Sequence, residues 1–570
     1  MRRGWMMALG LLGGCAMTAP VAAPGPDAVI EQGASRMVVS ANPLATMAGL
    51  DVLRAGGTAV DAAVAVQAVL GLVEPQASGL LGGIVILVAD PSGGAVQSFD
   101  GMATAPAAAT KSVSLGRTGT LLNPAELAFS PRAVGVPGVL PALWAAHQAG
   151  GRLPWGKLFA RAIDLAQNGA PMPAQLHAAL TAPGADTGLA GVRKPYLDAT
   201  GQVIAVGASF RNPAYATVLR RVARLGPEGL YADGGMAAAL VALNQGRHAS
   251  LIVAADLAGA SPRIGAALCA PWQGMRLCTA QPPTMGGVVM LQILGTVPPG
   301  DPADPAWVHR VLEASRLAEA DRRRYMADPA FVDVPTTALL DPTYLAERAS
   351  LIMPGVTIAR PLPGADDGVA AGIDDPHAPQ SATSSAAIVD GDGRVLAMTS
   401  TINLHFGARI GWEGMVFNDA LLNFAPPPPT TLAGQGGHYA NEMAPGKRPV
   451  SPIAPVIALD AGGRAILAGG GAGGPPIPDT MAVLLSQLLA RHVPLAEALA
   501  QGHFHAADPD HIALEDGTGA AALRPALEAA GHRVELEPVQ TGQAVLMRAA
   551  DGWSGRADPR RDGGPALGLR

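Results

Sequence analysis

Only four of the 570 residues are lysine (Lys111, Lys157, Lys194 and Lys447), so 35 of the 39 basic side chains are arginine. We read that imbalance as coding bias rather than function. Charge is thin throughout: 15% of residues, a net of −6, and no long run of one sign. That argues against an electrostatic nucleic-acid binder, which needs a basic footprint to displace counterions. Glycine and proline number 71 and 51. Together they stay below the ~25–30% share at which they alone signal disorder. With 49% hydrophobic residues the chain has the means to bury a large core. Disorder, collagen and coiled coil are set aside. A length of ~150 residues per domain would give three or four domains, but one large sandwich or barrel is equally admissible.

Other absences narrow the chemistry. The twelve histidines are scattered, no H-E-x-x-H occurs, and His503-x-His505 is an isolated pair. No metal site and no cofactor is implied. No G-x-S-x-G elbow marks a serine hydrolase, although counting residues cannot dismiss a Ser-His-Asp triad. The longest apolar region, 60–89, is broken by Asp61, Glu74, Pro75 and Gln76. It suits core helix and strand better than a bilayer. Cysteine occurs three times. Cys269 and Cys278 flank a turn-like Pro271-Trp272-Gln273-Gly274, and both a disulfide and two buried thiols remain open. Neither looks like a nucleophile.

At the N-terminus, Arg2 and Arg3 precede an apolar run over 5–12 and then Gly13, Gly14 and Cys15. This is an export signal, too short to span a membrane. Leu12-Gly13-Gly14-Cys15 resembles a bacterial lipobox, which makes Cys15 the lipidation candidate and the first mature residue. The alternative is ordinary cleavage near Ala19 or Ala23. The expected location is periplasm-facing, with membrane contact only through the lipid.

Along the chain, Asn42-Pro43 followed by Leu44, Met47, Leu50 and Leu53, then Gly56-Gly57, predicts a capped helix. Residues 59–72 predict a second, more deeply buried one. Residues 84–89 and 95–99, joined by a turn, predict a hairpin. The middle third (137–351) is mostly helical in pattern, as over 311–326. Residues 354–382 lose apolar periodicity and read as a linker or mobile loop. Two strand–turn–strand units follow, 386–402 and 455–468, and a helix is expected from about 480 to 491. Helices, strands and helices again imply a layered α+β or α/β sandwich.

Gly469-Gly470-Gly471-Ala472-Gly473-Gly474 contains a G-x-G-x-x-G match after a strand. Prolines follow where a dinucleotide site needs a helix, and no Lys-Ser/Thr pair makes a phosphate loop. A glycine turn does offer bare N–H groups, the material of an oxyanion hole.

Ordered motifs carry a resemblance. They begin with Ser40-Ala41-Asn42-Pro43-Leu44-Ala45, Gly56-Gly57-Thr58-Ala59-Val60-Asp61 and Glu74-Pro75-Gln76-Ala77-Ser78-Gly79. Next come Gly135-Val136-Pro137-Gly138, Pro282-Pro283-Thr284-Met285-Gly286-Gly287, and Asp321-Arg322-Arg323-Arg324-Tyr325 with Asp328-Pro329. Thr399-Ser400-Thr401-Ile402-Asn403, Lys447-Arg448-Pro449 and Gly473-Gly474 complete the series. In this order the chain resembles the γ-glutamyltransferase family over about residues 36–540. The resemblance implies an α+β fold, the four-layer αββα sandwich of N-terminal-nucleophile hydrolases. It implies a precursor that cuts itself once, before Thr383, giving a large subunit (16–382) and a small one (383–570). Thr383 then becomes the nucleophile, activated by its own amine, whose unperturbed pKa of ~7.7–8.0 leaves a neutral fraction at ordinary pH. Thr401 matches the threonine that hydrogen-bonds the nucleophile. Gly473 and Gly474 match the oxyanion donors, and Asn403 a substrate contact. The implied partners are a small-molecule amide and a water or amine acceptor.

The family pattern breaks where it would hold a γ-glutamyl head. Met102 stands at the arginine position and Asn423 at the acid position, Ala420 replaces a polar side chain, and Ser451-Pro452 loses one of two serines. Each charge-assisted hydrogen bond contributes ~1.5–3 kcal/mol, so losing two costs several hundredfold or more in recognition. Arg409 is a candidate replacement. Three readings follow: a self-processing enzyme that hydrolyses or transfers a γ-glutamyl-type group, an amidase or acylase with altered acyl specificity, or a surface-anchored binding lipoprotein whose catalysis has lapsed.

Overall fold

The first two helices follow their caps. Asn42 Oδ1 accepts from the Leu44 N–H (3.0 Å) and opens α1 (Pro43–Arg54). Thr58 and Asp61 form a reciprocal capping box at the start of α2 (Ala59–Val73), every residue of which is buried. The computed structural model describes residues 33–569 except 112, 117, 119, 232–234, 243–248, 365–372, 378–381, 430–436, 507, 509, 539–540 and 563–565. The export signal, Cys15 and two parts of the 354–382 stretch therefore lie outside the described residues. Of that stretch, 354–364 and 373–377 are described and tied down. The Gly364 N–H donates to Asp321 Oδ1 (2.9 Å), and Arg323 Nε donates to the Asp375 carbonyl (2.8 Å).

In chain order the strands of the two large sheets begin with β1 (Arg36–Ser40), β2 (Gly83–Ala89), β3 (Gln97–Gly101), β4 (Arg263–Ala266), β5 (Leu268–Trp272) and β6 (Met275–Thr279). They continue with β7 (Ala382–Val389), β8 (Val395–Asn403), β9 (Val456–Leu459), β10 (Ala465–Ala472), β11 (Gly542–Ala549), β12 (Gly552–Ala557) and β13 (Leu567–Leu569). One sheet has the order β13-β1-β7-β8-β2-β3-β4, the other β12-β11-β10-β9-β6-β5, and all pairings are antiparallel. Alternation assigns the faces. Ile84, Ile86 and Val88 join one apolar cluster with α2, while Val85, Leu87 and Ala89 join the cluster of the second sheet. Beyond that sheet pack α3 (Gly286–Thr296), α4 (Pro305–Tyr325) and α5 (Ile477–Leu485). The result is a four-layer α+β sandwich, αββα, with Thr383 and Thr401 on inner strands and the Gly473-Gly474 turn just past the end of β10.

The predicted hairpins are β2–β3, β7–β8 and β9–β10. Two details differ from the sequence expectation. Pro271 lies inside β5 rather than in the turn, and it is tolerated because β5 is an edge strand. The helix expected from about 480 opens at Ile477, three residues early, because Pro478 falls in its first turn, where a missing N–H costs nothing. Cys269 and Cys278 face each other across β5–β6 and are joined as a disulfide. No helix among the described residues is long and apolar enough to cross a membrane.

Candidate active site

Thr383 is the second residue of β7 and is fully buried. Strand β8 sets Thr401 directly opposite it, and a register shift then pairs Asn403 with Ala382. The shift bends β8 so that Asn403 adopts a φ of 76°. Thr401 Oγ1 donates to the Ala382 carbonyl (2.6 Å) and accepts from the Asn403 N–H (2.8 Å). A hydroxyl donor therefore sits on the carbonyl that precedes Thr383.

The backbone of Thr383 is held from the C-terminal tail, where Arg561 Nη2 donates to the Thr383 carbonyl (2.9 Å). Next in the strand, Ser384 Oγ accepts from Ser78 Oγ (3.1 Å) and donates to Glu74 Oε2. Burial pushes the Glu74 carboxyl above its ordinary range, with Arg561 and the Ser384 hydroxyl pulling it back. Ser385 Oγ donates across to the Gly471 carbonyl of β10 (2.9 Å). Gly473 and Gly474 lie two and three residues beyond Gly471. Their φ values of 113° and 81° exclude a side chain. Neither N–H is taken by another hydrogen bond among the described residues.

Asn403 leads to the remaining candidates. Its Nδ2 donates to the Asp419 carbonyl (3.3 Å), and Asp419 Oδ1 accepts from the Leu404 N–H (3.0 Å). Burial pushes the Asp419 carboxyl up to about 7. The block 417–424 runs on through a single turn of 3-10 helix, Ala420–Asn423, that buries Asn423. The Asn423 carbonyl accepts from Asn441 Nδ2 (2.7 Å). Met102 is buried at the end of β3, and its Sδ lies 3.1 Å from where a Cβ on Gly83 would stand. Gly83 is the partner of Thr401 on the far side of β8. Ser451 is buried beside Thr284, and neither hydroxyl has a hydrogen-bond partner among the described residues. Arg409 stacks over the Phe129 ring, 3.6 Å from its centroid.

Thr383, Thr401, Asn403 and Met102 thus converge, Asn423 connects through Asp419, and the Gly473-Gly474 turn follows the strand bonded to Ser385. In the sequence Glu74 stands out only as part of a motif and Asp419 only as part of a block, while no motif marks Arg561. The tail's Asp558-Pro559-Arg560-Arg561-Asp562, a dense charge cluster in a charge-poor chain, was the available signal. No cluster of three metal-ligating side chains occurs among the described residues.

An αββα sandwich whose inner strand presents a buried threonine to a donor-lined carbonyl defines an N-terminal-nucleophile hydrolase. The sequence profile described as Gamma-glutamyltranspeptidase matches residues 45–568, and the chain belongs to that family. It is 33% identical over 469 residues to a glutathione hydrolase proenzyme of Pseudomonas aeruginosa, covering 80% of each chain. It is 31% identical over 576 residues to the acylase ACY 1 proenzyme of Pseudomonas sp. strain SE83, covering 96% and 97%. The structure of a cephalosporin acylase from Bacillus halodurans superposes with a TM-score of 0.81 over 97% of this chain and 99% of that one. At 23% identity it supports the fold alone.

Proposed function

We propose that the chain cuts itself before Thr383 and then works as an amidohydrolase and acyltransferase through a Thr383 ester. The observation that carries this reading is the Thr401 hydroxyl on the Ala382 carbonyl at 2.6 Å. When Thr383 Oγ attacks the Ala382 carbon, negative charge develops on that oxygen and Thr401 is already donating to it. The Ala382–Thr383 C–N bond breaks, the hydroxyl proton passes to the departing nitrogen, and water then hydrolyses the ester. The freed amine becomes the base for later turnovers. In them the acyl group of an amide moves to Thr383 and on to water or an amine. The proenzyme names of the relatives support a product of two subunits acting on a small amide. In the leading reading the acyl group is of γ-glutamyl type. A second reading, an acylase of altered specificity, draws on Met102 and Asn423 at the lost anchor positions. A denaturing gel with N-terminal sequencing tests the core: two fragments, the smaller starting at Thr383, are expected, and a chain that stays whole on incubation overturns it.

We further propose export and lipid anchoring through Cys15. The basic and apolar N-terminus supports this, and so does the Cys269–Cys278 bridge, which suits an oxidising compartment. Cys15→Ala should release the protein from the membrane fraction.

A further inference from the structure

Beside Asn423 lies a cavity of about 560 Å³, within the ~300–1,000 Å³ range of small-molecule sites. Its wall is mostly hydrocarbon, with Leu127, Phe129, Leu421, Leu422, Phe424 and Met443 prominent. Asn423 is the one candidate site residue among the described lining, and the cavity neighbours the catalytic centre through Leu404. Leu404 follows Asn403, whose N–H bonds Thr401 Oγ1, which in turn bonds the Ala382 carbonyl. A larger cavity of about 790 Å³ lies elsewhere, near Tyr196 and Trp412, and includes none of the site residues.

Charge is nearly absent among the described residues of this wall. Lys111 contributes to it, but that side chain is 66% exposed and its Nζ lies 3.9 Å from Glu442. Arg409 is not among the lining residues, and its guanidinium rests against the Phe129 ring. Burial lowers the pKa of His377, so its imidazole adds no charge at neutral pH. An ammonium or carboxylate placed among these side chains would be desolvated, and none of the described lining residues offers it a buried opposite charge, the nearest being the Arg409 guanidinium behind Phe129. An apolar chain would gain from every methylene it buries.

The geometry points to an uncharged, apolar acyl group, such as a medium-length alkanoyl chain, as the group that Thr383 takes from its amide substrate. The inference rests on the proposed role of Thr383 and, on the acyl group, sides with the second reading, an acylase of altered specificity, against a γ-glutamyl group.

The test uses the cut protein and a series of N-acyl p-nitroanilides from acetyl to decanoyl, beside the γ-glutamyl and glutaryl anilides. kcat/KM should rise about fourfold per added methylene until the cavity is full. The octanoyl compound should exceed the γ-glutamyl and glutaryl ones at least tenfold. Leu127→Trp should stop the rise at a shorter chain, lowering kcat/KM at least tenfold more for the octanoyl compound than for the acetyl one. A flat series, or preference for either charged acyl group, overturns the inference. Octan-1-ol, an uncharged chain of the same length, titrated calorimetrically into the full chain, cut or uncut, reads the cavity without turnover. Binding weakened tenfold by Leu127→Trp, or by Leu121→Asp at the exposed rim, supports it, and binding that is absent or indifferent to both overturns it. The gel reports separately on Thr383.

Discussion

Thr401 has one proton to donate, and its neighbours decide where it goes. The Asn403 N–H can only donate, so it takes a lone pair of Oγ1, and the hydroxyl hydrogen turns to the Ala382 carbonyl. Thr401→Val keeps the shape and removes the donor. Cutting before Thr383 should then slow by about 10²–10³-fold, the usual cost of losing one oxyanion donor. A gel time course measures it, and Thr401→Ser should recover most of the rate. Arg561 acts differently. It holds the Thr383 carbonyl and offsets the buried Glu74 charge. Arg561→Gln should cost about 1.5–3 kcal/mol in urea unfolding, the range for a hydrogen bond to a charged group, and should lower kcat more than it raises KM. Adding Glu74→Gln should restore stability but not kcat. The two side chains differed in legibility for a physical reason. Thr383, Thr401 and Asn403 sit on one hairpin, where sequence order and strand pairing coincide. Arg561 reaches Thr383 from 178 positions away, a contact that only closure of the sheet creates.

The hairpins were legible as elements because alternation and turns rich in Asp and Gly are local signals, and so was the glycine run at the end of β10. What that run does at each position was not legible. Gly473 and Gly474 occupy backbone conformations closed to side chains, as a turn demands. Gly470 serves another end. A Cβ there would stand 2.7 Å from Thr399 Oγ1 and 3.0 Å from Ser385 Oγ, so this glycine sets how closely the two sheets meet behind Thr383. Gly470→Ala should cost about 1–3 kcal/mol by overpacking and slow the cut, because β7 must shift. Gly463→Ala is the control. Its φ is 79° with nothing within 4 Å, so strain of about 1–2 kcal/mol should lower stability while the cut proceeds at the normal rate. Melting curves and the gel separate the two. Equal slowing of the cut in both variants would show that Gly470 has no special place between the sheets.

At the scale of the molecule, length alone allowed several domains, yet one pair of facing sheets draws strands from both ends of the chain, with β1 beside β13 and β7 between β1 and β8. Such closure buries ionisable groups far apart in sequence, and their titration follows from burial rather than from local motifs. Burial pushes Asp419 and Asp479 up to about 7, while it pushes His503 down to about 3 and His505 and His532 down to about 4. The two sets act with opposite sign. Between about pH 4 and 7 the folded state holds the Asp419 proton that the unfolded chain has released, so this group's contribution to stability falls as pH rises. Between about pH 3 and 6.5 the unfolded chain holds a proton that folded His503 refuses, so its contribution rises with pH. Because the windows overlap, the wild-type curve mixes both slopes, and difference curves separate them. The stability of Asp419→Asn minus wild type should climb across pH 4–7, by up to about 1.4 kcal/mol per unit for one proton. The same difference for His503→Gln should descend across pH 3–6.5. Urea unfolding at one-unit pH intervals measures both curves. Parallel curves, or two flat ones, would mean that these groups meet water in the folded protein and that the sandwich is not closed around them.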